Sequence, residues 1–397
     1  MPDPSPARSP ASRSGLQPEP RHDVFVRGGG AVGLAAALSL ARQGLRVALL
    51  AAPASTAVAA ADAAPDVRAY ALNAASVRLL QTLKVWDALP ADARTAVHDM
   101  QVQGDDADAA ACLHFSAWTQ GVAELAWIVD AAELEQALRA AAGFAPHIER
   151  VAAPVPAALT VLAEGKDSAT RRALGVQFTR HGYGQRGIAA RLVADLPHAQ
   201  MARQWFRSPD VLALLPLDRP EPGRSVGLVW SVPDERADAL MALPDAAFEA
   251  ELMAASGGAA GTLRLASPRQ QWPLALAEAS AVHGPGWVLV GDAAHVVHPL
   301  AGQGLNLGLA DVAALAAVLA ERQEREAWRP LGDDKLLARY ARERRLPTQA
   351  MAQLTDGLLQ LFAHPNPFVR QLRNLGLGAV DRLGPLKKRL TAQALGL

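Results

Sequence analysis

Three glycines near the N-terminus have the spacing of a phosphate-binding turn. Gly28, Gly30 and Gly33 form the pattern G-x-G-x-x-G directly after the short apolar run 23–26. In such a turn the first glycine permits a tight bend, the second lets a pyrophosphate approach the backbone, and the third lets helix and strand pack closely. The phosphate then lies at a helix N-terminus, where free N–H groups and the helix dipole favour an anion. The spacing predicts dinucleotide binding, with an ordinary glycine-rich turn as the alternative.

A carboxylate and closely spaced glycines recur much later in the chain. The apolar run 287–290 leads into Gly291 and Asp292. A carboxylate at the end of a strand can accept hydrogen bonds from a polyol, and N–H groups at a helix start can face an electron-rich ring edge. This combination suits a flavin, with Asp292 on the ribityl chain and the backbone of 302–306 against the pyrimidine ring. The predicted contacts are Gly291, Asp292, Pro299, Gly302, Gln303, Gly304, Leu305 and Asn306. A strand-to-helix loop with a capping aspartate is the alternative.

The elements around the first turn form a βαβ unit. A strand over 23–26, the glycine turn, a helix over 34–43 that stops at Gly44, and a strand over 45–50 follow one another. This order is typical of a dinucleotide-binding α/β fold. Further along, the patterns predict a mostly antiparallel sheet with strands over 187–193, 204–207, 211–216, 226–232 and 263–266, and a helix over 245–255. One face of that sheet would roof the flavin and line a ring pocket.

The two glycine-containing segments must meet on one cofactor, so the sheet is predicted as an insertion within a single domain. The predicted division is a disordered tail over 1–22, a first part of the cofactor domain over 23–182, a substrate-binding sheet over 183–272, a second part of the cofactor domain over 273–332, and C-terminal helices over 333–397.

Composition excludes several classes of protein. The 397 residues carry 39 basic and 39 acidic side chains and are 50% hydrophobic, which argues against overall disorder and against nucleic-acid binding. The single cysteine, Cys112, cannot form an intrachain disulfide or a cysteine-based metal cluster. The apolar runs 31–41 and 307–320 are too short to span a membrane, and the N-terminus lacks the apolar core of a secretory signal. Redox chemistry would therefore need a borrowed cofactor.

Other groupings of reactive side chains carry less weight. His295 and His298 could suggest a metal site, but they lie inside the predicted flavin loop without a third ligand at helical spacing. Ser168 lacks the G-x-S-x-G surroundings of a hydrolase nucleophile. The acidic residues Asp105, Asp106 and Asp108 are expected to form a solvated loop. The aromatic residues Trp205, Phe206 and Trp230 are expected to lie in the core beside their strands. We therefore expect no metal and no side-chain nucleophile.

Residues 291–315, GDAAHVVHPLAGQGLNLGLADVAAL, carry a family resemblance. This segment resembles the FAD-binding signature of single-component flavin-dependent aromatic hydroxylases with the para-hydroxybenzoate hydroxylase fold. Within this family, its residues most closely resemble those of the ubiquinone-biosynthesis hydroxylases. The segment 66–73, DVRAYALN, is similar to the family's D-x-R-x-x-A-L segment, whose arginine lies by the flavin, so Arg68 is the matching residue.

The resemblance implies a Rossmann-like FAD-binding domain with an inserted sheet and a C-terminal helical region. It implies FAD as cofactor, NAD(P)H as electron donor, and hydroxylation of a phenolic ring by O₂ through a flavin C4a-hydroperoxide, in ubiquinone biosynthesis. The substrate would be a small aromatic compound with or without a polyprenyl tail. Two alternatives stay open. The chain could be a degenerate, non-catalytic flavoprotein in a biosynthetic complex, or a flavin-dependent isoprenoid reductase.

Three positions depart from the family pattern. Ala51 stands where an acid usually binds the adenosine ribose, so that the ribose is held by backbone and water or the half-site is weakened. Glu164 begins the segment EGKDSATR, where aspartate is usual. Its extra methylene is expected to disturb hydrogen bonds that span only about 2.7–3.2 Å. Arg27, just before the glycine turn, is also unusual.

Basic residues accumulate towards the C-terminus. They are Arg339, Arg342, Arg344, Arg345, Arg370, Arg373, Arg382, Lys387, Lys388 and Arg389. Beside apolar residues at helical spacing, they suit a helical cap on the cofactor domain with a solvated basic face. They also suit peripheral contact with an anionic membrane. A cytoplasmic protein is predicted, either free or peripheral on the inner membrane.

Overall fold

A computed structural model describes residues 21–51, 66–104, 112–297 and 303–363. The first strands are β1 (His22–Arg27), β2 (Val47–Leu50), β3 (Ala69–Leu72), β4 (Arg94–Val97), β5 (Asp99–Gln103), β6 (Cys112–Ser116), β7 (Ala126–Asp130), β8 (Ile148–Arg150) and β9 (Ala157–Leu162). The later strands are β10 (Phe178–Ala194), β11 (Met201–Arg207), β12 (Asp210–Leu217), β13 (Ser225–Pro233), β14 (Leu263–Leu265), β15 (Gln270–Ala279), β16 (His283–Gly284), β17 (Trp287–Leu289) and β18 (His295–Val296).

Helices cover the faces of the sheets. They are α1 (Ala31–Ala41), α2 (Ala74–Thr82), α3 (Ala117–Gln120), α4 (Ala131–Phe144), α5 (Ala169–Ala173), α6 (Asp234–Ala242), α7 (Asp245–Ser256), α8 (Gln303–Arg325) and α9 (Asp334–Ala363). Short 3₁₀ turns lie at Trp86–Ala88, Ala91–Ala93 and Gly291–Ala293.

The first sheet contains the predicted βαβ unit. Its strand order is β16-β17-β9-β1-β2-β8, and the strands from β17 to β8 pair in parallel. Every residue of α1 except Val32 is buried, because α1 packs between this sheet, α4 and α8 in the largest apolar core. Strand β17 comes from the second glycine-containing segment and pairs directly with β9. Segments far apart in sequence therefore share one sheet.

The second sheet is the largest, with strand order β18-β15-β10-β13-β12-β11-β5-β6 and β14 on the edge of β10. Side chains alternate between its two faces. One face, which includes Ile188, Trp230 and Leu212, packs on Phe248 and Leu252 of α7. The opposite face carries small apolar residues and turns towards the first sheet. A third sheet, β3-β7-β4, closes this side.

The strands predicted between residues 187 and 266 are confirmed, but the sheet extends further than predicted. Strand β10 begins at Phe178, β15 continues to Ala279, and β5 pairs in parallel with β11. Residues 99–103 fall within the predicted first part of the cofactor domain, 23–182, and form a strand of the large sheet. Helix α7 agrees with the predicted helix over 245–255, whereas α6 was not predicted.

The predicted tail over 1–22 is wrong at its last two residues. His22 begins β1 and its Nε2 lies 3.0 Å from Glu149 Oε2, while Arg21 Nη2 lies 3.2 Å from the same oxygen. Residues 1–20, Asp62 and the acidic residues Asp105, Asp106 and Asp108 lie outside the described residues.

The predicted C-terminal helical region is present up to Ala363, and the basic residues beyond it lie outside the described residues. Helix α8 is long and apolar enough to cross a membrane by composition. Most of its apolar stretch is buried, however, including Leu309, Val312 and Leu315 in the main core. That burial is typical of a core helix in a globular domain.

Candidate functional site

The glycine turn between β1 and α1 leaves room for a ligand at one glycine. A Cβ on Gly28, whose φ is +129°, would clash with the carbonyl oxygen of Ala163, and one on Gly33 would clash with the carbonyl oxygen of Gly28. A Cβ on Gly30 would meet nothing within 4 Å, and Gly30 lines a cavity that also borders Asp292 and the large sheet. Two of the predicted glycines therefore permit close backbone packing, and the third exposes its backbone at the start of α1.

The turn after β17 is held against the same helix. Gly291 has φ +61°, and a Cβ there would lie 3.1 Å from Val32 Cγ1. Asp292 follows it, and its carboxylate is exposed to the cavity although dense protein surrounds it. This burial raises the pKa of Asp292, and the positive charges of His295 and Lys166 lower it in part. The predicted ribityl acceptor thus faces the cavity that Gly30 also lines.

The start of α8 lies on the other side of the cavity. Gln303, Gly304, Leu305 and Asn306 form its first turn, where the backbone N–H groups have no intrahelical acceptor. Gly304 and Leu305 line the cavity, and a Cβ on Gly304 would meet nothing within 4 Å. Pro299 and Gly302 lie outside the described residues.

Asn306 has a structural role in addition to its place in this turn. Its Nδ2 donates to the carbonyl oxygen of Ala71 at 2.8 Å, and its Oδ1 accepts from Ser76 Oγ at 2.7 Å and from the Asn73 N–H at 3.1 Å. These bonds fix the start of α8 against β3 and α2, so the side chain positions the N–H groups beside the cavity.

Arg68 lines the cavity and is held by two acids. Its Nη2 lies 2.7 Å from Asp66 Oδ2 and 3.3 Å from Glu135 Oε1. The hydrogen bonds to Asp66 raise the pKa of the guanidinium, so Arg68 is charged at all working pH values. Burial raises the pKa of the adjacent Tyr70 to about 12, so its phenol is neutral there.

Glu164 and Arg27, two departures from the family pattern, pair with each other. Arg27 Nε donates to Glu164 Oε1 at 2.9 Å. Glu164 also accepts from Ser168 Oγ at 2.6 Å and from the Thr170 hydroxyl and N–H at 2.9 and 3.1 Å. The expectation that the longer side chain disturbs its hydrogen bonds is therefore wrong. The extra methylene lets one carboxylate reach both Arg27 and the start of α5.

A buried ion-pair cluster joins the turn after β17 to the last two helices. Asp311 Oδ2 accepts from the Gly291 N–H at 2.9 Å and lies 2.8 Å from His295 Nε2, while Oδ1 accepts from Arg344 Nε at 2.7 Å. These contacts raise the pKa of His295 against the effect of burial and hold that of Asp311 low. His298 lies outside the described residues, within which no group of metal-binding side chains occurs. His295 is thus an ion-pair partner, which its sequence neighbours did not indicate.

The cavity that these segments border has a volume of about 510 Å³. It runs from the glycine turn to the small-residue face of the large sheet, with β3 and β7 as its opposite wall. Its charged lining residues are Arg68 and Glu135, which pair with each other next to β3, and Asp292 in the turn after β17. Among the described residues, the large sheet contributes mainly apolar groups to its lining: Met100, Gly187, Ile188, Ala189, Ala202, Gln204, Val211, Ala213, Leu215, Gly227, Leu228, Val229, Ser231, Trp272 and Val296.

Aromatic residues of the strands behave as expected, with one addition. Trp205 and Trp230 belong to the core under the sheet, and Phe206 is buried, so the prediction of core positions is confirmed. Trp272 lines the cavity instead. No sequence pattern predicts this role, because it depends on which face of β15 is turned towards the cavity. Ala51 follows β2 and offers no side-chain hydrogen-bond acceptor for a ribose.

Comparison with known proteins decides the family. Residues 21–152 and 128–355 match the family model described as FAD binding domain. The chain belongs to this family. A ubiquinone hydroxylase, UbiL, from Rhodospirillum rubrum is 34% identical, with 94% of this chain and 89% of the relative covered. The 3-demethoxyubiquinol 3-hydroxylase of Escherichia coli is 32% identical over 94% of this chain and 98% of its own.

Solved structures share the fold. The p-nitrophenol 4-monooxygenase PnpA from Pseudomonas putida superposes with a TM-score of 0.73 at 17% identity, covering 95% of this chain and 98% of its own. PqsL of P. aeruginosa, in complex with 2-aminobenzoylacetate, gives a TM-score of 0.72 at 21% identity, covering 90% and 99%. The para-hydroxybenzoate hydroxylase type of fold is thereby confirmed. This member of the FAD-binding family is an FAD-dependent monooxygenase that uses NAD(P)H, the donor typical of the family.

Proposed function

We propose that this FAD-dependent monooxygenase hydroxylates the phenolic ring of a ubiquinone precursor. The observation that carries the proposal is the continuity of one cavity from Gly30 and Asp292 to the apolar face of the large sheet. Such a chamber can exclude water from an oxygen-activating cofactor and accept an apolar ring with an attached tail. The relatives named above as ubiquinone hydroxylases are similar over nearly the whole chain.

We propose that the two glycine-containing segments together hold FAD. The fit is supported by the open backbone at Gly30 and Gly304 and by the carboxylate of Asp292 between them. In this assignment Gly28, Gly30 and Gly33 form the pyrophosphate turn, and Asp292 accepts from the ribityl hydroxyls. The remaining proposed contacts are Arg68, Gly291, Pro299, Gly302, Gln303, Gly304, Leu305 and Asn306. When bound, FAD takes electrons from NAD(P)H and activates O₂ for transfer to the ring.

The protein's own groups would act mainly by placement. Arg68 supplies a fixed positive charge at the cavity wall, and Asn306 keeps the start of α8 beside β3. The apolar faces of the large sheet and of β3 and β7 keep water from the ring. We infer from the pairing of β17 with β9 that 23–182 and 273–332 act as one FAD-binding unit around the inserted sheet.

We infer that α9 packs on the FAD-binding unit as a cap. We also infer that the protein acts in the cytoplasm. Arg344 donates to Asp311, and Arg339 Nη2 donates to Glu326 Oε1 at 2.6 Å, so these two basic residues are engaged within the protein. Arg342 and Arg345 are exposed. Peripheral contact with a membrane or with a biosynthetic complex would involve these two residues and the basic residues beyond 363.

The test is an oxygenation assay on the purified, FAD-loaded protein. A short-chain prenylphenol, NADH or NADPH, and O₂ should give a product heavier by one oxygen atom. NAD(P)H oxidation without O₂, together with reduction of the prenyl double bond, would identify an isoprenoid reductase instead. A colourless protein that cannot be reconstituted with FAD would contradict both enzymatic functions and leave the non-catalytic partner.

A further inference from the structure

We propose that Trp272 and Ser231 form a polar notch over Gly187 that binds an oxygen substituent of the aromatic substrate. The notch would be the specificity determinant of the chamber, because it fixes which edge of the ring is anchored. This inference rests on the proposed function for its substrate class, and on the geometry of three adjacent strands for its place.

The three residues lie side by side on the cavity face of the large sheet. Gly187 of β10 is directly opposite Trp272 of β15 on one side and Ser231 of β13 on the other. Directly opposite residues in antiparallel strands have Cβ atoms about 4.5–5.5 Å apart. A Cβ on Gly187 would lie 3.7 Å from Trp272 Nε1. The indole nitrogen therefore lies over the glycine beside the Leu274 side chain, and Ser231 flanks the same glycine on the neighbouring strand.

Neither of these two polar side chains has a hydrogen-bond partner among the described residues. Ser231 is only 3% exposed, whereas Trp272 is half-buried, and the Ser231 hydroxyl makes no hydrogen bond within the part of the chain that the structure describes. Trp272 Nε1 likewise makes none to any described group. Both residues line the cavity, and a polar group at an otherwise apolar cavity wall gains a partner when a ligand oxygen is placed beside it, so two such groups flanking one glycine suit a shared ligand oxygen. An indole N–H only donates, whereas a hydroxyl both donates and accepts.

The ligand chemistry follows from these donors. A neutral phenol or methoxy oxygen can accept from Trp272 Nε1–H, and a phenol O–H can donate to Ser231 Oγ. A carboxylate or phosphate would need a positive charge, and the large sheet brings none to the cavity among the described residues. The neighbouring face of β13 and β12, with Val229, Gly227 and Leu215, is apolar. The oxygen-bearing edge is thus anchored at the notch, and the apolar part of the substrate extends along this face.

The proposal is tested by ligand discrimination in the FAD-loaded protein. The probes are 2-prenylphenol and 2-prenyltoluene, which differ only in the oxygen substituent, and their dissociation constants are read from the change in flavin absorbance. The wild type should prefer the phenol. Ser231→Ala and Trp272→Phe should each reduce the ratio of the two dissociation constants by about three- to tenfold, the effect of one neutral hydrogen bond. The affinity for the toluene should be nearly unchanged.

Two further variants separate the notch from general packing. Gly187→Ala puts a methyl group into the notch, 3.3 Å from Leu274 Cδ2, and should weaken binding of the phenol more than that of the toluene. Val229→Ala lies on the same face two residues from Ser231 and should change both affinities by the same factor, leaving the ratio intact. Unchanged melting temperatures and FAD affinities verify folding in each variant.

An unchanged ratio in Ser231→Ala and Trp272→Phe, or a wild type that binds both probes equally, would overturn the notch. Failure of the proposed function would show differently. Binding would still discriminate between the probes, but the oxygenation assay would give no oxygenated product.

Discussion

The carboxylate of Asp292 is placed where a single side chain can decide cofactor affinity. It faces the cavity between the turn after β17 and the start of α8, and burial raises its pKa. Hydrogen bonds from ribityl hydroxyls would therefore offset the desolvation of this carboxylate in the folded protein. A carboxylate in this position should contribute more than an exposed one.

We predict that Asp292→Ala weakens FAD binding at least tenfold. Hydrogen bonds to a charged group contribute about 1.5–3 kcal/mol, which corresponds to roughly ten- to a hundredfold in affinity. Titration of the apoprotein with FAD, followed by flavin fluorescence, measures the change. Asp292→Asn keeps one carbonyl oxygen and should lose less. An alanine variant that retains flavin with normal absorbance would show that the ribityl chain is held elsewhere.

We predict that the ion pair between Arg27 and Glu164 contributes to the free energy of unfolding. Burial raises the pKa of Glu164, but the hydrogen bonds from Ser168 and Thr170 and the charge of Arg27 outweigh this effect. The pKa is therefore lowered overall, and Glu164 is ionised at neutral pH. A double-mutant cycle with Arg27→Met and Glu164→Gln should give a coupling energy of about 1 kcal/mol in urea unfolding, since the two side chains are only partly exposed. Additive effects of the two substitutions would mean that the pair contributes nothing to stability.

Local motifs and distant contacts differ in how far the sequence predicts them. The positive φ of Gly28 and the packing of Gly33 on the Gly28 carbonyl are local features, so the spacing of the glycines sufficed to predict them, whereas the contact of Gly28 with Ala163 is not local. Ser231 and Trp272 come together only because both strands pair with β10. Alternating apolar patterns in these strands predict two faces but not which face a cavity will use. The chemistry of the flavin half was accessible from sequence, whereas that of the ring half was not.

Among the secondary-structure elements, β18, α8 and α9 meet at the ion-pair cluster of His295, Asp311 and Arg344. Asp311 is fully buried and is satisfied by both cations and by the Gly291 N–H. Tyr340 of α9 adds a hydrogen bond to the Leu289 carbonyl oxygen at 2.9 Å. Gly291 directly precedes Asp292. Through Asp311 and Leu289, the packing of α9 therefore helps to fix the position of the turn that contains Asp292. Helix α9 thus helps to hold the turn that contains Asp292, although it does not line the cavity that Gly30 and Asp292 border.

We predict a pH-dependent contribution of His295 to stability. Its pKa is raised in the folded protein, so its stabilising effect is complete below the unfolded pKa of about 6.5 and is lost as pH rises through the folded value. The difference in unfolding free energy between wild type and His295→Gln should be about 2 kcal/mol at pH 6 and should shrink towards pH 9. Urea unfolding at both pH values measures it.

A matched control for this effect is His114→Gln, which alters an exposed pair with Asp99 at 3.0 Å and should shift stability little at either pH. A difference between wild type and His295→Gln that is constant from pH 6 to pH 9 would mean that His295 is neutral in the folded protein.

In the large sheet, the pairing of strands that are close in sequence was predictable, whereas the pairing of distant strands was not. Strands β10 to β13 follow one another closely, so their patterns and turns predicted an antiparallel arrangement. Strand β5 pairs in parallel with β11, from which about a hundred residues separate it, and no local pattern encodes that register. Helix α8 was predicted because its apolar residues continue over several turns.

Considered as a whole, the molecule joins distant parts of its chain around one cavity. The glycine turn follows β1, the Asp292 turn follows β17, and both strands belong to the first sheet, separated there only by β9. The large sheet lies between them in sequence but beside them in space. A cofactor that contacts both turns would therefore bind only the folded arrangement and stabilise all of it together.

We predict that FAD raises the melting temperature of the apoprotein in a single cooperative transition. At a free concentration one hundred times the dissociation constant, ligand linkage adds about 2.7 kcal/mol. With an unfolding entropy near 2.1 cal/mol/K per residue, this corresponds to roughly 3 °C for a chain of 397 residues. Calorimetry at several FAD concentrations measures the shift, and Asp292→Ala should reduce it at equal FAD. Two separate transitions, with only one of them moved by FAD, would show that the sheet and the FAD-binding unit unfold independently and that the cofactor does not connect them.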